Sequence, residues 1–185
     1  MASVVCGDVY CNGTVKVAWI DSPVGPLLAG ATEQALVLLE FHDRQILDAQ
    51  KRTLSGHLQA PVVEGSNRWI EQLRSELAEY FAGRRRQFDL PLNYPGTPFQ
   101  QKVWDLLLEI PYGQTWSYLE LAKRTGDAKA SRAVGTANGL NRIAIVIPCH
   151  RVVNSNGKLG GYGGGLWRKR LLLDLECGQG ELVME

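Results

Sequence analysis

Two prolines and a glycine stand within seven residues at Leu90-Pro91-Leu92-Asn93-Tyr94-Pro95-Gly96. Proline donates no backbone hydrogen bond and fixes φ, so neither a helix interior nor a paired strand can run through this stretch. The 185-residue chain is therefore expected to fold as two domains, 1–92 and 93–185. Thr97 then reads as an N-cap, with Pro98 at the first helical position and Gln100 three residues on. The apolar residues Val103, Trp104, Leu107 and Leu108 carry that helix to Ile110-Pro111-Tyr112-Gly113.

Upstream of the break, Thr14–Asp21 alternates as a strand does, and Leu27–Ala31 and Ala35–Phe41 are short apolar runs. With a turn at Ser22-Pro23-Val24-Gly25-Pro26 they predict an antiparallel meander. Residues 42–63 are polar and mixed, and no element is assigned to them. Trp69, Ile70, Leu73, Leu77, Tyr80 and Phe81 follow helical spacing over 66–81, and Gly83 stops the helix.

Downstream, Thr115–Gly126 reads as a short capped helix ended by glycine. A second helix runs from Ala128 to Asn138-Gly139. The pair has the outline of a helix-turn-helix. Ile143–Ile147, IAIVI, predicts a buried strand that delivers Cys149, within Pro148-Cys149-His150-Arg151, to the mouth of a cavity. A cysteine attacks only as thiolate, and neighbouring cationic side chains favour that form. Cys6, Cys11 and Cys177 have no such neighbours and read as structural. Six glycines between Gly157 and Gly165 make a loop that can approach a ligand closely, with no phosphate-loop Gly-Lys-Ser/Thr. Leu166–Glu176 closes the chain as a helix with Arg168, Lys169 and Arg170 expected on its outer side.

Composition excludes other classes. Apolar residues make up 45% and charged residues 21%, as in folded soluble domains rather than disordered or fibrous chains. No apolar run is long enough to span a bilayer, and the N-terminus lacks a secretory pattern. Four cysteines suit a reduced, intracellular protein. Residues 1–114 hold ten Lys/Arg against thirteen Asp/Glu, and 115–185 hold ten against six. The basic C-terminal part permits contact with a polyanion.

The run Ile147-Pro148-Cys149-His150-Arg151-Val152-Val153, with the helix-turn-helix before it and the glycine loop after it, resembles the O6-alkylguanine-DNA alkyltransferases. The likeness is close over about Thr97–Glu176 and looser at Asp21–Leu27. It implies a ribonuclease-H-like α/β N-terminal domain and a mostly helical C-terminal domain with a winged helix-turn-helix. It also implies DNA repair by transfer of an alkyl group from O6-methylguanine to the protein's own cysteine, in a single turnover with the damaged nucleotide flipped out. By this resemblance Cys149 is the acceptor, His150 the base acting through a water, Glu176 the carboxylate that orients it, and Asn141 the tie between helix-turn-helix and active-site strand. Arg132 matches the finger that fills the vacated stack, with Ala130, Ser131, Ala133 and Gly135 beside it at the groove. Tyr118, Val152, Tyr162 and Gly163 match the guanine pocket. The sequence departs from the family at Arg142, where proline is usual, and at Ser131, Gly163 and Cys177.

The implied partner is duplex DNA containing O6-alkylguanine, bound by a monomer in the cytoplasm, or the nucleus of a eukaryote, with no membrane association. Activity on O4-methylthymine and cooperative binding along DNA stay open. No soluble cofactor is expected, since a thiolate displaces the alkyl group directly. Cys6, Cys11, His42 and His57 are the only candidates for a structural zinc, and their spacing fits no standard finger. Competing readings are a non-catalytic lesion-binding module, which Cys149 argues against, an alkylation-induced regulator, and a cysteine hydrolase.

Overall fold

The computed structural model describes residues 13–178. They divide into two compact units, one ending at Pro95 and the other beginning at Gly96. The first opens with β1 (Val15–Ile20), β2 (Leu27–Ala31) and β3 (Leu36–Phe41), paired as an antiparallel meander. Every residue of β2 and β3 is buried, so these strands read as continuous apolar runs rather than alternating ones. The first turn is closed from both sides: Ser22 Oγ donates to the Gly25 carbonyl (2.6 Å), and the Gly25 N–H donates to the Ser22 carbonyl (2.9 Å). Gly25 sits at φ 90°, where a side chain would be strained.

Residues 42–63, assigned no element from sequence, contain helix α1 (Leu47–Leu58) and the start of strand β4 (Val62–Glu64). The helix buries only Leu47, Gln50, Leu54 and Leu58. That is one narrow stripe at helical spacing, so the period is present but thinly apolar. Its leucines pack with Val15, Leu28, Val37, Leu38 and Ala60. Strand β4 runs parallel to β1, and the sheet order is β3-β2-β1-β4. Helix α2 (Arg68–Phe81) starts at Asn67, whose side chain accepts from the N–H groups of Trp69 and Ile70. The proline-rich break then follows the sheet edge: Leu36 N–H donates to Pro91 O, and Asn93 N–H to Leu36 O, both at 2.9 Å.

The second unit comprises α3 (Pro98–Leu108), β5 (Trp116–Ser117), α4 (Tyr118–Thr125), α5 (Ser131–Gly139), β6 (Val152–Val153) and α6 (Leu166–Glu176). Thr97 and Gln100 form the reciprocal capping box read from sequence. Ser117 caps α4 by accepting from Glu120 N–H, and Gly126 ends it at φ 99°. A 3-10 turn at Ala128–Ala130 leads into α5. Strands β5 and β6 pair in parallel, Trp116 opposite Val152 and Ser117 opposite Val153.

Two expectations need correction. Ile143–Ile147 is buried but is not a strand. Its backbone turns on itself, with Val146 N–H on Ala144 O (2.8 Å), Ile147 N–H on Ile143 O (2.9 Å), and Ile145 at φ 70°. Asn141 supplies the bonds that a neighbouring strand would have made, so burial and β-branching here do not imply pairing. Helix α6 likewise does not turn all three basic residues outward. Arg170 is exposed, but Arg168 and Lys169 are buried. Among the described residues no helix is long and apolar enough to cross a membrane.

Candidate active site

Cys149 begins a 3-10 turn, Cys149–Arg151, directly after Pro148. The approach to it is held by Asn141. Its Nδ2 donates to Ile147 O (2.9 Å) and Ile143 O (3.5 Å), and its Oδ1 accepts from Ile143 N–H (3.0 Å). Asn141 thus ties the end of the helix-turn-helix to the Cys149 segment, although that segment is a turn. Cys149 is itself buried.

His150 is fully enclosed. Its Nε2 lies 2.9 Å from Glu176 Oε1, and Arg151 braces the same carboxylate through Nε on Oε2 (2.8 Å) and Nη2 on Oε1 (2.9 Å). Gly113 N–H adds a further donor to Oε2 at 3.2 Å. Burial alone would raise the Glu176 carboxyl, but His150 and Arg151 outweigh it and hold the group far below the usual carboxylate range. An ionised Glu176 can only accept, so His150 carries its proton on Nε2 and leaves Nδ1 as the basic nitrogen. Nδ1 has no hydrogen-bond partner among the described residues. Burial, only partly opposed by Glu176, lowers the imidazole below its ordinary value, so the ring is neutral at pH 7 and able to take a proton.

Tyr118 opens α4 directly after β5, whose pairing with β6 sets Trp116 opposite Val152 and Ser117 opposite Val153. The Tyr118 hydroxyl donates to Gly161 O (3.2 Å). Burial and the proximity of Cys149 raise the phenol's pKa, which keeps it a proton donor. The glycine loop fits against the same ring. A Cβ at Gly160, itself at φ 69°, would lie 3.0 Å from the Tyr118 ring. Tyr162 is half-buried, Gly163 exposed and Val152 fully buried. Arg132 is exposed on α5 with Ala133, while Ala130, Ser131 and Gly135 are half-exposed.

Four contributors escaped the sequence reading or were misjudged in it. Lys169 is fully buried, and its Nζ donates to Val152 O (2.5 Å), Leu159 O and Gly161 O (3.3 Å), tying the glycine loop to β6. Burial pushes its ammonium down to about 8. Spacing could have shown it, because Lys169, Leu172 and Glu176 fall on one face at i, i+3 and i+7. Arg151 was read only as a cationic neighbour of Cys149. Asn138, whose Nδ2 donates to the Cys149 carbonyl (3.3 Å), was read only as a helix end, and Gly160 only as one glycine of six. Arg142 is nearly buried, and burial lowers its guanidinium pKa. Of the zinc candidates, Cys6 and Cys11 lie outside the described residues. Among the described residues no cluster of three or more His, Cys, Asp or Glu could hold a metal.

Comparison with known proteins covers both units. Residues 15–94 match the ribonuclease-like domain of 6-O-methylguanine DNA methyltransferase, and 98–178 match its DNA-binding domain. A methylated-DNA–protein-cysteine methyltransferase of Methanosarcina acetivorans is 42% identical over 165 residues, 86% of this chain and 96% of the relative. One of Mycobacterium bovis is 46% identical over 157 residues, 85% and 89% of the two chains. Among solved structures, Mycobacterium tuberculosis OGT in complex with DNA superposes with a TM-score of 0.78 at 43% identity, over 90% of this chain and 96% of that one.

Proposed function

This chain belongs to the 6-O-methylguanine DNA methyltransferase family, and on that premise we propose that Cys149 is the residue to which it transfers the alkyl group. The protein is a methyltransferase that repairs DNA by moving an alkyl group onto its own cysteine. The observation that carries the assignment is the His150–Glu176 hydrogen bond, which leaves a basic Nδ1 on the residue next to Cys149.

The steps balance without a soluble cofactor. The Cys149 thiol gives its proton through a water to His150 Nδ1, and Glu176 stabilises the imidazolium. The thiolate attacks the alkyl carbon as the O6–carbon bond breaks, and guanine keeps the bonding pair. Tyr118, held protonated, supplies a proton to the ring as that charge develops, and the proton taken up by His150 restores the phenol by way of solvent. A thioether is a poor leaving group, so the protein is not regenerated and acts once.

The lesion lies on a base edge inside the duplex, so the nucleotide must leave the stack first. Arg132 is exposed on the recognition helix beside small residues, which suits insertion into the vacated space from the minor groove. Val152, Tyr162 and Gly163 line the guanine pocket. The N-terminal domain takes residues 1–92, and the DNA-binding, alkyl-accepting domain 93–185. The substrate is duplex DNA carrying O6-alkylguanine, acted on by a monomer in the cytoplasm or, in a eukaryote, the nucleus.

The test mixes the chain with a duplex carrying one O6-methylguanine and weighs the peptide containing Cys149. One added methyl, with at most one lesion repaired per protein, is expected, and Cys149→Ser should gain none. Tight binding with no mass change would make the chain a lesion sensor instead.

A further inference from the structure

The Glu176 carboxylate meets four donors, and two of them belong to one side chain. Its Oε1 accepts from His150 Nε2 (2.9 Å) and from Arg151 Nη2 (2.9 Å). Its Oε2 accepts from Arg151 Nε (2.8 Å) and from Gly113 N–H (3.2 Å). The remaining arm of the guanidinium, Nη1, donates to Ile110 O (2.6 Å), and Arg151 is buried. A fork therefore pins Arg151 to α6, and a separate bond pins it to the loop after α3. The guanidinium cannot swing off the carboxylate without breaking that second anchor.

Orienting His150 needs one carboxylate oxygen and no arginine. A buried ion pair is also weak support for stability, since apolar side chains of similar shape often serve as well. The informative detail is that His150 and Arg151 share Oε1 at the same distance. A buried carboxylate facing an imidazole alone would draw a proton onto the ring and hold it there to higher pH. With Arg151 present, its charge and that of Glu176 cancel while the ring is neutral. Once the ring takes a proton, the cluster carries one net positive charge, which favours a neighbouring thiolate. The charged groups acting on the ring are Glu176 and Lys169 of α6 and Arg151 of its own turn. Burial lowers the imidazole most, Glu176 raises it, and Arg151 and Lys169 lower it further. Of the two cations, the one bonded to the carboxylate is Arg151.

We propose that Arg151 is a positioning residue whose fork keeps one Glu176 oxygen on His150 while limiting how strongly that oxygen draws a proton onto the ring. This rests on alkyl transfer to Cys149 with His150 as the base. Arg151 acts through Glu176, and its effect is to keep His150 free to accept the thiol's proton further into the acid range.

The experiment compares the full chain with Arg151→Gln and Arg151→Lys, following single-turnover methyl transfer against pH at saturating lesion duplex. The parent rate falls on the acid side as His150 becomes protonated and can no longer act as base. Arg151→Gln removes the charge, and this acid limb should move up by about one pH unit or more. In Arg151→Lys a single ammonium cannot span both oxygens. Oε1 is then left to His150, and the limb should move the same way by less. The half-saturating duplex concentration should change by less than about twofold in both. The chain has three histidines, so ring-labelled, DNA-free protein gives a resolvable His150 signal, assigned with His150→Gln. Its titration should rise in the same order, Gln above Lys above parent.

An acid limb and a His150 titration that stay in place in both variants overturn the proposal, and so does a shift to lower pH. Lower rate and Tm with an unmoved limb make the role structural and overturn it as well. If Arg151→Gln does not fold, Arg151→Lys decides alone by the direction of its His150 titration; if neither folds, the role is structural and the proposal falls. A parent chain that binds the duplex but never methylates Cys149 defeats the transfer reading itself, and the DNA-free titration still decides whether Arg151 governs the imidazole.

Discussion

Glu40 in the first unit and Glu176 in the second are both buried carboxylates bonded to arginine, yet they shift in opposite directions. Glu40 sits on β3, where it accepts from Arg44, from Gln50 Nε2 (3.0 Å) and from Phe41 N–H (3.0 Å). Burial still wins over these and raises its pKa. Glu176 meets the same burial but faces Arg151 twice, His150 and Gly113 N–H, and is driven down. One cation four residues away does not replace the lost water, whereas a bidentate arginine with an imidazole does. The first cluster clasps α1 to β3. The second keeps one nitrogen, His150 Nδ1, uncommitted. The proposed chemistry draws on the network that keeps a nitrogen unused.

Substitutions at the two carboxylates test that contrast directly. Glu176→Gln strips the charge that both Arg151 and His150 face, and should cost about 3–5 kcal/mol of stability, as for breaking a buried pair. Chemical denaturation measures it, and a loss no larger than that at Glu40 would erase the distinction. Glu40→Gln should cost less, about 1–3 kcal/mol, because the amide keeps the hydrogen bonds to Phe41 and Arg44 can reach water. Methyl transfer in that variant should be unaffected at temperatures where it is folded.

Acid titration separates the two by sign. His150 and Glu176 titrate in the folded chain below their ordinary values of 6.5 and 4.5. The unfolded chain therefore takes up protons first, and stability should decline as pH falls below about 6.5. Glu40 titrates above 4.5 when folded, so its protonation favours the folded chain and offsets part of the decline, by at most about 1.4 kcal/mol per pH unit. Glu40→Gln should steepen the loss below pH 6, and Glu176→Gln should flatten it below about pH 4.5, where the unfolded carboxylate takes up its proton. Parallel curves would contradict the opposed shifts. The smallest effect is local: Ser117→Ala removes the cap of α4 and should cost about 1 kcal/mol. Because Tyr118 is the next residue, a lower methyl-transfer rate should accompany that modest loss.

The sequence held much of this, unevenly. Capped and glycine-terminated elements were legible because their signals lie within a few residues: the Thr97–Gln100 box, Ser117 with Gly126, and the meander turn at Ser22 and Gly25. Helix α1 was missed because its buried stripe is three leucines and a glutamine among polar neighbours. IAIVI was misread because burial and β-branching are shared by strands and by a turn braced from Asn141. Cys149 and His150 stand out in a local run of residues, and the roles proposed for them come from family resemblance. Lys169 was placed on the wrong side of α6, since a cation is ordinarily solvated, and only three converging carbonyls make its burial tolerable.

By itself, then, the sequence determined what is encoded over one or two turns: caps, breaks, strand runs, and the Pro148–Arg151 run that presents a thiol. Tertiary structure alone decided which buried polar groups meet: Glu176 with His150 and Arg151, Lys169 with the glycine loop, and Asn138 with the Cys149 carbonyl. The reason is physical. Local propensity depends on neighbours along the chain, whereas the protonation state of a buried group depends on which partners, however distant in sequence, replace its lost water.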